Sequence, residues 1–220
     1  MQAVIFDLDG TLSDSLESIA YCANRALKKY GFLEIDKEKY KYFVGDGADE
    51  MIRRSLYYAG DLMLGHYEQV KAEYDRLFEV DCMYKVVPYE GILELLTELK
   101  KRNIKIAVLS NKPDLRTIDV VESLFGADYF DCVRGQRTGI PKKPSPHGVF
   151  EIIRELGVAT EETYYMGDTS TDMKTGKSAG LFTIGVLWGF RDRKELEENN
   201  ADAIISFPSE VLKYDKINCN

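Results

Sequence analysis

The sequence predicts an α/β protein, built on a doubly wound parallel sheet with a small helical domain inserted into it. Three observations support this. An apolar strand-like run, Val4–Phe6, ends in two aspartates at the very start of the chain. The sequence then has a helical pattern as far as Lys85 and contains no proline there, since all six prolines lie at Pro88 or later. After Pro88, apolar strands alternate with amphipathic helices, which is typical of parallel sheets.

The first strand carries the most informative local signal. Val4, Ile5 and Phe6 are β-branched or aromatic, as expected of a buried strand. Asp7 and Asp9 follow it, one residue apart. Two carboxylates this close in a partly buried place need a cation or a shared proton. The alternative is a strand end with solvated aspartates and a glycine turn.

The predicted boundaries divide the chain into an α/β core, residues 1–14 and 88–220, and a helical insert, residues 15–87. Within the insert, Leu16, Ile19, Ala23 and Leu27 form an apolar helical stripe. Nine of the fourteen tyrosines lie between Tyr21 and Tyr84, which also separates the insert from the core. In the core, the sequence predicts further strands at 104–109, 129–133, 163–166, 183–186 and 203–205.

Polar residues follow three of these strands. In parallel sheets the strand ends share one edge, where ligands bind. We therefore expect one site at that edge, with a cation from the proline-rich loop 141–146. The residues expected there are Asp7, Asp9 and Thr11 from the first strand, Ser110 from the second, Asp168 and Asp172 from the third, and Lys143 from the loop.

Composition excludes several classes of function. The formal net charge is −8 and no run of Lys or Arg occurs, which argues against nucleic-acid binding. The sequence contains no apolar stretch of about 18 residues, so it predicts no membrane span. Four cysteines, Cys22, Cys82, Cys132 and Cys219, are scattered without metal-ligand spacing, so idle thiols in a reducing compartment are expected. A strand begins almost at once, leaving no room for a signal peptide, so we expect a cytoplasmic protein. We expect it to be a monomer or a homodimer.

The motifs together resemble the haloacid dehalogenase superfamily, and within it the phosphoglycolate phosphatase-like branch. The resemblance spans essentially the whole chain. It rests on DLDGT at 7–11, VLSNK at 108–112, KKPSP at 142–146, GDTSTD at 167–172 and GVLWGFRD at 185–192. The insert resembles the helical cap domain of that family, and the core its Rossmann-like domain. Trp188 in the last motif is expected to pack rather than react.

The resemblance implies a mechanism that the residue types also suit. Asp7 would be the nucleophile and form an aspartyl-phosphate, and Asp9 would be the general acid and base. Lys143 would stabilise charge in the transition state. Hard oxygen ligands favour Mg²⁺, whereas zinc would be expected with His or Cys ligands. The expected ligands of Mg²⁺ are Asp7, the backbone carbonyl of Asp9, Asp168 and Asp172, and the expected phosphate-binding residues are Thr11, Ser110, Asn111 and Lys143.

Two assignments stay open at this stage. Asp172 would complete the shell of the metal or, alternatively, cap the helix that begins beside it. The Lys-Pro pattern selects Lys143, although Lys142 is its immediate neighbour in the sequence.

The leading hypothesis is a Mg²⁺-dependent phosphatase for a small phosphorylated metabolite, with 2-phosphoglycolate as the best single guess. A pyrophosphatase or nucleotidase of the same superfamily is an alternative, as is a phosphosugar mutase resembling β-phosphoglucomutase. Carbon–halogen hydrolysis is disfavoured because the dehalogenases lack an equivalent of Asp9. A non-catalytic binding protein is disfavoured because clustered carboxylates cost stability without a metal.

Overall fold

The computed structural model describes residues 1–216, so Cys219 lies outside the described residues. The chain divides into two compact units. The α/β unit consists of Met1–Ser13 and the chain from Pro88 onward, and the helical unit is Asp14–Val87. The predicted division differs from these units by one residue, at its first boundary. Within residues 1–216, no helix is both long and apolar enough to span a membrane.

The structure assigns eight strands among residues 1–216: β1 (Ala3–Phe6), β2 (Ser13–Asp14), β3 (Val87–Pro88), β4 (Lys105–Pro113), β5 (Cys132–Gln136), β6 (Thr163–Gly167), β7 (Phe182–Val186) and β8 (Ala203–Ile205). Six of them form one parallel sheet in the order β5-β4-β1-β6-β7-β8. The helices are α1 (Leu16–Lys29), α2 (Lys37–Phe43), α3 (Ala48–Tyr58), α4 (Tyr67–Asp81), α5 (Ile92–Lys101), α6 (Asp114–Phe125), α7 (His147–Leu156), α8 (Ser170–Ser178) and α9 (Arg193–Glu198). The predicted fold class is confirmed.

Strand β1 lies in the middle of the sheet, and all four of its residues are buried. Phe6 is in register with Val108 of β4 on one side and with Met166 of β6 on the other. The residues that follow these three positions therefore meet at one edge of the sheet. This register brings the segments beginning at Asp7, Leu109 and Gly167 together.

Two strands differ from their predicted bounds by more than one residue. Strand β4 continues through Pro113, with a register irregularity between Leu109 and Pro113. Such an irregularity re-aims side chains at the end of a strand. Strand β5 begins at Cys132 rather than Tyr129 because Tyr129 and Phe130 pack with Phe125 in an aromatic cluster ahead of it.

The helical unit, taken by itself, has its own small core. Tyr40 is completely buried, and its hydroxyl donates to Asn24 Oδ1 over 2.8 Å. The Asn24 side chain also exchanges hydrogen bonds with the backbone of Ile35, at 2.8 and 2.9 Å. A buried polar side chain with its groups satisfied specifies one packing arrangement. Helices α1 and α2 are therefore joined through polar contacts as well as apolar ones.

A nearly buried carboxylate connects α1 to α4. Glu73 on α4 accepts from Lys29 of α1 over 2.7 Å and from Arg76 over 2.6 Å. Its side chain is 9% exposed. The hydrogen bonds from Arg76 and Lys29 lower the pKa of Glu73 to about 2. A carboxyl group with a depressed pKa stabilises the fold above its unfolded-state pKa, and this contribution is lost as pH falls.

We expect Glu73→Gln to lower the free energy of unfolding at pH 7 by roughly 1 kcal/mol, since it removes a charge-assisted pair. The deficit should shrink as pH falls from about 4.5 towards 2, where the wild-type carboxylate is itself protonated. Urea denaturation at a series of pH values measures both. Glu79→Gln, at an exposed position of α4, is the control. An equal deficit at every pH would contradict this account.

Candidate active site

The edge of the sheet beyond β1, β4 and β6 holds a buried charged cluster. Asp7 directly follows β1, and Asp168 directly follows β6. Asp172 lies in the first turn of α8, and Lys143 comes from the loop before α7. All four residues are less than a tenth exposed. The neighbouring Lys142 is exposed, so Lys143 is the lysine that the fold brings to this edge.

Lys143 contacts two carboxylates at once. Its Nζ lies 2.7 Å from Asp7 Oδ1 and 2.8 Å from Asp172 Oδ1. Burial alone would lower the pKa of this ammonium group, but Asp172 and Asp7 together raise it well above its usual value. Lys143 is therefore a fixed positive charge at the end of β1.

The backbone of Lys143 is held by Asn111. The Asn111 side chain accepts from the N–H of Lys143 at 2.9 Å and donates to its carbonyl at 3.2 Å. This reciprocal pair of hydrogen bonds satisfies the backbone groups of Lys143 and fixes the loop against β4. The sequence predicted that Asn111 binds substrate. In the structure its side chain holds the backbone of Lys143, and binding of substrate by Asn111 stays a prediction.

Three carboxylates in this cluster share one ammonium group. Oxygens of Asp7, Asp168 and Asp172 lie within 4.8 Å of one another. Burial, and then the charge of Asp172, raise the pKa of Asp7 to about 7. Burial, followed by Asp172 and Asp7, raises the pKa of Asp168 well above its usual value. With all three ionised, the cluster would carry two uncompensated negative charges.

That charge and those ligand types fit a divalent cation. Buried carboxylate oxygens are hard ligands of the kind that Mg²⁺ and Ca²⁺ prefer. The described residues offer no histidine or cysteine to the trio, as a typical zinc site would need. Asp9 adds no side-chain oxygen to the trio, and the expectation that its backbone carbonyl is a ligand stays a prediction.

Asp168 is oriented by backbone that approaches it closely. Its Oδ2 accepts from the N–H of Phe190 at 2.7 Å, and its Oδ1 accepts from the Thr11 hydroxyl at 3.2 Å. A Cβ placed at Gly10 or Gly189 would lie 2.3 or 2.5 Å from Asp168 Oδ2. Gly10 also has a φ of +93°, which favours glycine. The close packing of this carboxylate depends on both glycines.

The two substrate-binding hydroxyls that the sequence predicted lie at the same edge. Thr11 is fully buried and its hydroxyl faces Asp168, while its carbonyl accepts from the indole N–H of Trp188 at 2.9 Å. Ser110 is buried, and its Oγ accepts from the N–H of Lys112 at 3.1 Å. The indole N–H of Trp188 therefore fixes the turn after β1, and the expectation that its ring packs rather than reacts stays a prediction.

Of the two roles that the sequence left open for Asp172, the structure shows the helix cap, and the role of metal ligand stays a prediction. Its Oδ2 accepts from the backbone N–H and hydroxyl of Thr169, at 3.1 and 2.7 Å, which closes a capping box at the start of α8. Its Oδ1 faces Lys143 and also lies 3.3 Å from the Tyr165 hydroxyl. Helix α8 thus fixes the carboxylate that faces the cluster.

Asp9 has a lysine of its own. Its Oδ1 accepts from Lys112 Nζ over 2.6 Å. The Lys112 side chain is only 3% exposed, whereas that of Asp9 is 18% exposed. The sequence predicted no role for Lys112. The available signal was its place directly after Ser110 and Asn111, in the segment that follows the core of β4.

We expect Asp168→Asn to stabilise the metal-free protein by about 1 kcal/mol, because it removes one of three mutually repelling buried carboxylates. The amide can still accept from Phe190 and meet Thr11. Saturation with Mg²⁺, at about 100 times Kd, should add about 2.7 kcal/mol to the wild-type protein but far less to the variant. Urea denaturation at matched ionic strength measures both effects.

Asp128→Asn, at an exposed position with a φ of 57°, makes the same chemical change and should leave the response to Mg²⁺ intact. Equal stabilisation of the wild type and of the Asp168 variant by Mg²⁺ would contradict the metal assignment.

Comparison with known proteins places this site in a family. The family model of the haloacid dehalogenase-like hydrolases matches residues 4–186. A phosphoglycolate phosphatase from Aquifex aeolicus is 31% identical over 217 residues, with 97% of this chain and 96% of the relative covered. One from Photorhabdus laumondii is 29% identical, with 96% and 91% covered.

Solved structures agree. A candidate phosphoglycolate phosphatase from Lactobacillus delbrueckii is 28% identical and superposes with a TM-score of 0.91, covering 97% of this chain and 98% of that one. A candidate β-phosphoglucomutase from Thermotoga maritima is 25% identical with a TM-score of 0.72, covering 98% and 99%. The chain therefore belongs to the haloacid dehalogenase-like hydrolases, as a phosphatase of their phosphoglycolate phosphatase-like branch.

Proposed function

We propose that this phosphatase hydrolyses a small phosphorylated metabolite with the help of Mg²⁺, and that 2-phosphoglycolate is its substrate. The observation that carries the reaction type is the buried Asp7 carboxylate, which is held by Lys143 in a cluster with Asp168 and Asp172. The choice of substrate is supported by the relatives from Aquifex aeolicus and Photorhabdus laumondii, both of which are phosphoglycolate phosphatases.

In the first step that we propose, an oxygen of Asp7 attacks phosphorus and the bond to the leaving oxygen breaks. Asp9 gives its proton to that leaving oxygen, which departs as an alcohol. Asp9 is the group for this step because it lies two residues beyond the nucleophile and is the more exposed of the two. General acid help of this kind is typically worth about 10²–10⁴-fold in rate.

In the second step, water attacks phosphorus and Asp9 takes a proton from it. Phosphate leaves, Asp7 is regenerated and Asp9 ends protonated, as it began. Lys143 faces the phosphoryl oxygens in both steps, and Ser110 and Thr11 provide hydroxyls beside them. Mg²⁺, bound by Asp7, Asp168 and Asp172, would neutralise charge on nucleophile and phosphate and hold the two together.

A phosphosugar mutase is the second candidate. The fold shared with the candidate β-phosphoglucomutase from Thermotoga maritima supports it. A mutase uses the same parts but protects the phospho-aspartate from water. We further propose that the helical unit, Asp14–Val87, is the cap that selects the leaving group. Pyrophosphate and nucleoside monophosphates remain substrates to test, and a cytoplasmic location stays a prediction.

The testing experiment is phosphate release from a panel of 2-phosphoglycolate, pyrophosphate, sugar phosphates and nucleotides, with and without Mg²⁺. We expect release to be concentrated on 2-phosphoglycolate, to require Mg²⁺, and to fall by at least about 10⁴-fold in Asp7→Asn, since the nucleophile is lost. Asp128→Asn should retain full activity.

Slow release from every ester, with conversion of β-glucose 1-phosphate to its isomer, would favour the mutase. No turnover on the panel would overturn the proposed function.

A further inference from the structure

The site contains a second lysine–aspartate pair that the proposed mechanism does not yet use. Lys112 Nζ lies 2.6 Å from Asp9 Oδ1, a short distance typical of a charge-assisted hydrogen bond. Lys143 contacts Asp7 and Asp172 instead. In the described part of the chain, Asp7, the proposed nucleophile, and Asp9, the proposed acid–base group, therefore pair with different lysines.

Lys112 is held rigidly for a lysine. Its side chain is 3% exposed. Its N–H donates to Ser110 Oγ at 3.1 Å, and its carbonyl accepts from the Thr117 hydroxyl at 3.1 Å. A Cβ at Gly135 would lie 2.7 Å from that carbonyl, so the neighbouring strand packs directly against it. An exposed lysine would lose side-chain entropy on forming such a pair, whereas this one is already ordered.

Asp9 needs such a partner to hold its position. It follows Asp7 by two residues, so the negative charges of the two carboxylates repel each other. Repulsion from the cluster favours side-chain conformations of Asp9 that turn away from Asp7. Proton transfer requires the opposite, since the carboxyl group must lie within hydrogen-bond reach of the leaving oxygen.

We propose that Lys112 is a positioning residue that holds the Asp9 carboxyl group in the orientation needed for proton transfer to the leaving oxygen. The inference rests on the proposed phosphatase function and deepens it. The end of β4 then has two positioning tasks. Asn111 places Lys143 beside the nucleophile, and Lys112, the next residue, places Asp9 beside the leaving group.

The test compares kcat/KM for three esters, because kcat/KM covers the steps up to departure of the leaving group. They are 2-phosphoglycolate, ethyl phosphate, whose alkyl group carries no carboxylate, and 4-nitrophenyl phosphate. The nitrophenolate group leaves with little need of a proton, so a defect in proton donation affects it least. We expect Lys112→Met to lose at least about 10-fold on both alkyl esters and less than about 3-fold on 4-nitrophenyl phosphate.

Four further variants complete the test. Lys112→Arg, which keeps the charge, should recover part of the alkyl activity. Asp9→Asn should show the same selective loss, and the Asp9→Asn, Lys112→Met double variant should be no worse than Asp9→Asn alone. Lys101→Met, at an exposed position of α5, is the matched control and should behave as wild type.

The other outcomes contradict the inference in distinguishable ways. Loss on 2-phosphoglycolate alone would make Lys112 a contact for the substrate carboxylate. Equal loss of kcat/KM on all three esters would make the role of Lys112 structural. Losses that multiply in the double variant would show that Lys112 acts independently of Asp9. Should the methionine variant not fold, Lys112→Gln gives the same comparison. Absence of turnover by the wild type on every ester would instead overturn the proposed function itself.

Discussion

The ammonium group of Lys143 is the contact on which the rest of the site depends. It is buried between Asp7 and Asp172, and it is the only cation found within hydrogen-bond distance of these two carboxylates in the described part of the chain. Removing one partner from a buried ion pair typically costs about 3–5 kcal/mol. The fold tolerates three clustered carboxylates because this lysine neutralises one of them. The two charges that remain are what we expect a divalent cation to balance.

The geometry around that contact is set largely by backbone. The register of β1 with β4 and β6 places three chain segments side by side. Gly10 and Gly189 let the backbone approach Asp168 to distances that a Cβ would prevent. The first turn of α8 holds Asp172 through Thr169. Asp168 and Asp172 are therefore oriented by backbone groups and by a helix cap, and such preorganisation lets a charged site act without rearranging.

The sequence predicted the fold class and the gathering of its polar strand ends, because strand periodicity and the shared edge of a parallel sheet are local and topological rules. It could not predict the partners of each side chain. The clamp of Asn111 on Lys143, the hydrogen bond from Trp188 to Thr11 and the pair between Lys112 and Asp9 all join distant parts of the chain.

The start of β5 was also mispredicted, because the aromatic packing of Tyr129 and Phe130 outweighs their strand propensity. The two roles of Asp172 show a related limit. From the sequence alone Asp172 is either a helix cap or a metal ligand, and only the structure shows that one oxygen caps α8 while the other faces Lys143.

The most direct measurement is rapid acid quenching of enzyme turning over 2-phosphoglycolate, followed by digestion and mass spectrometry of the peptides. It should be made on the wild type, and also on Asp9→Asn turning over 4-nitrophenyl phosphate. That leaving group needs little help from a proton donor, whereas the variant still lacks the base for the second step. The account predicts one added phosphoryl group on the peptide that contains Asp7, with more of it in the Asp9 variant. Release of phosphate by an enzyme that never carries a phosphoryl group on Asp7 would contradict it.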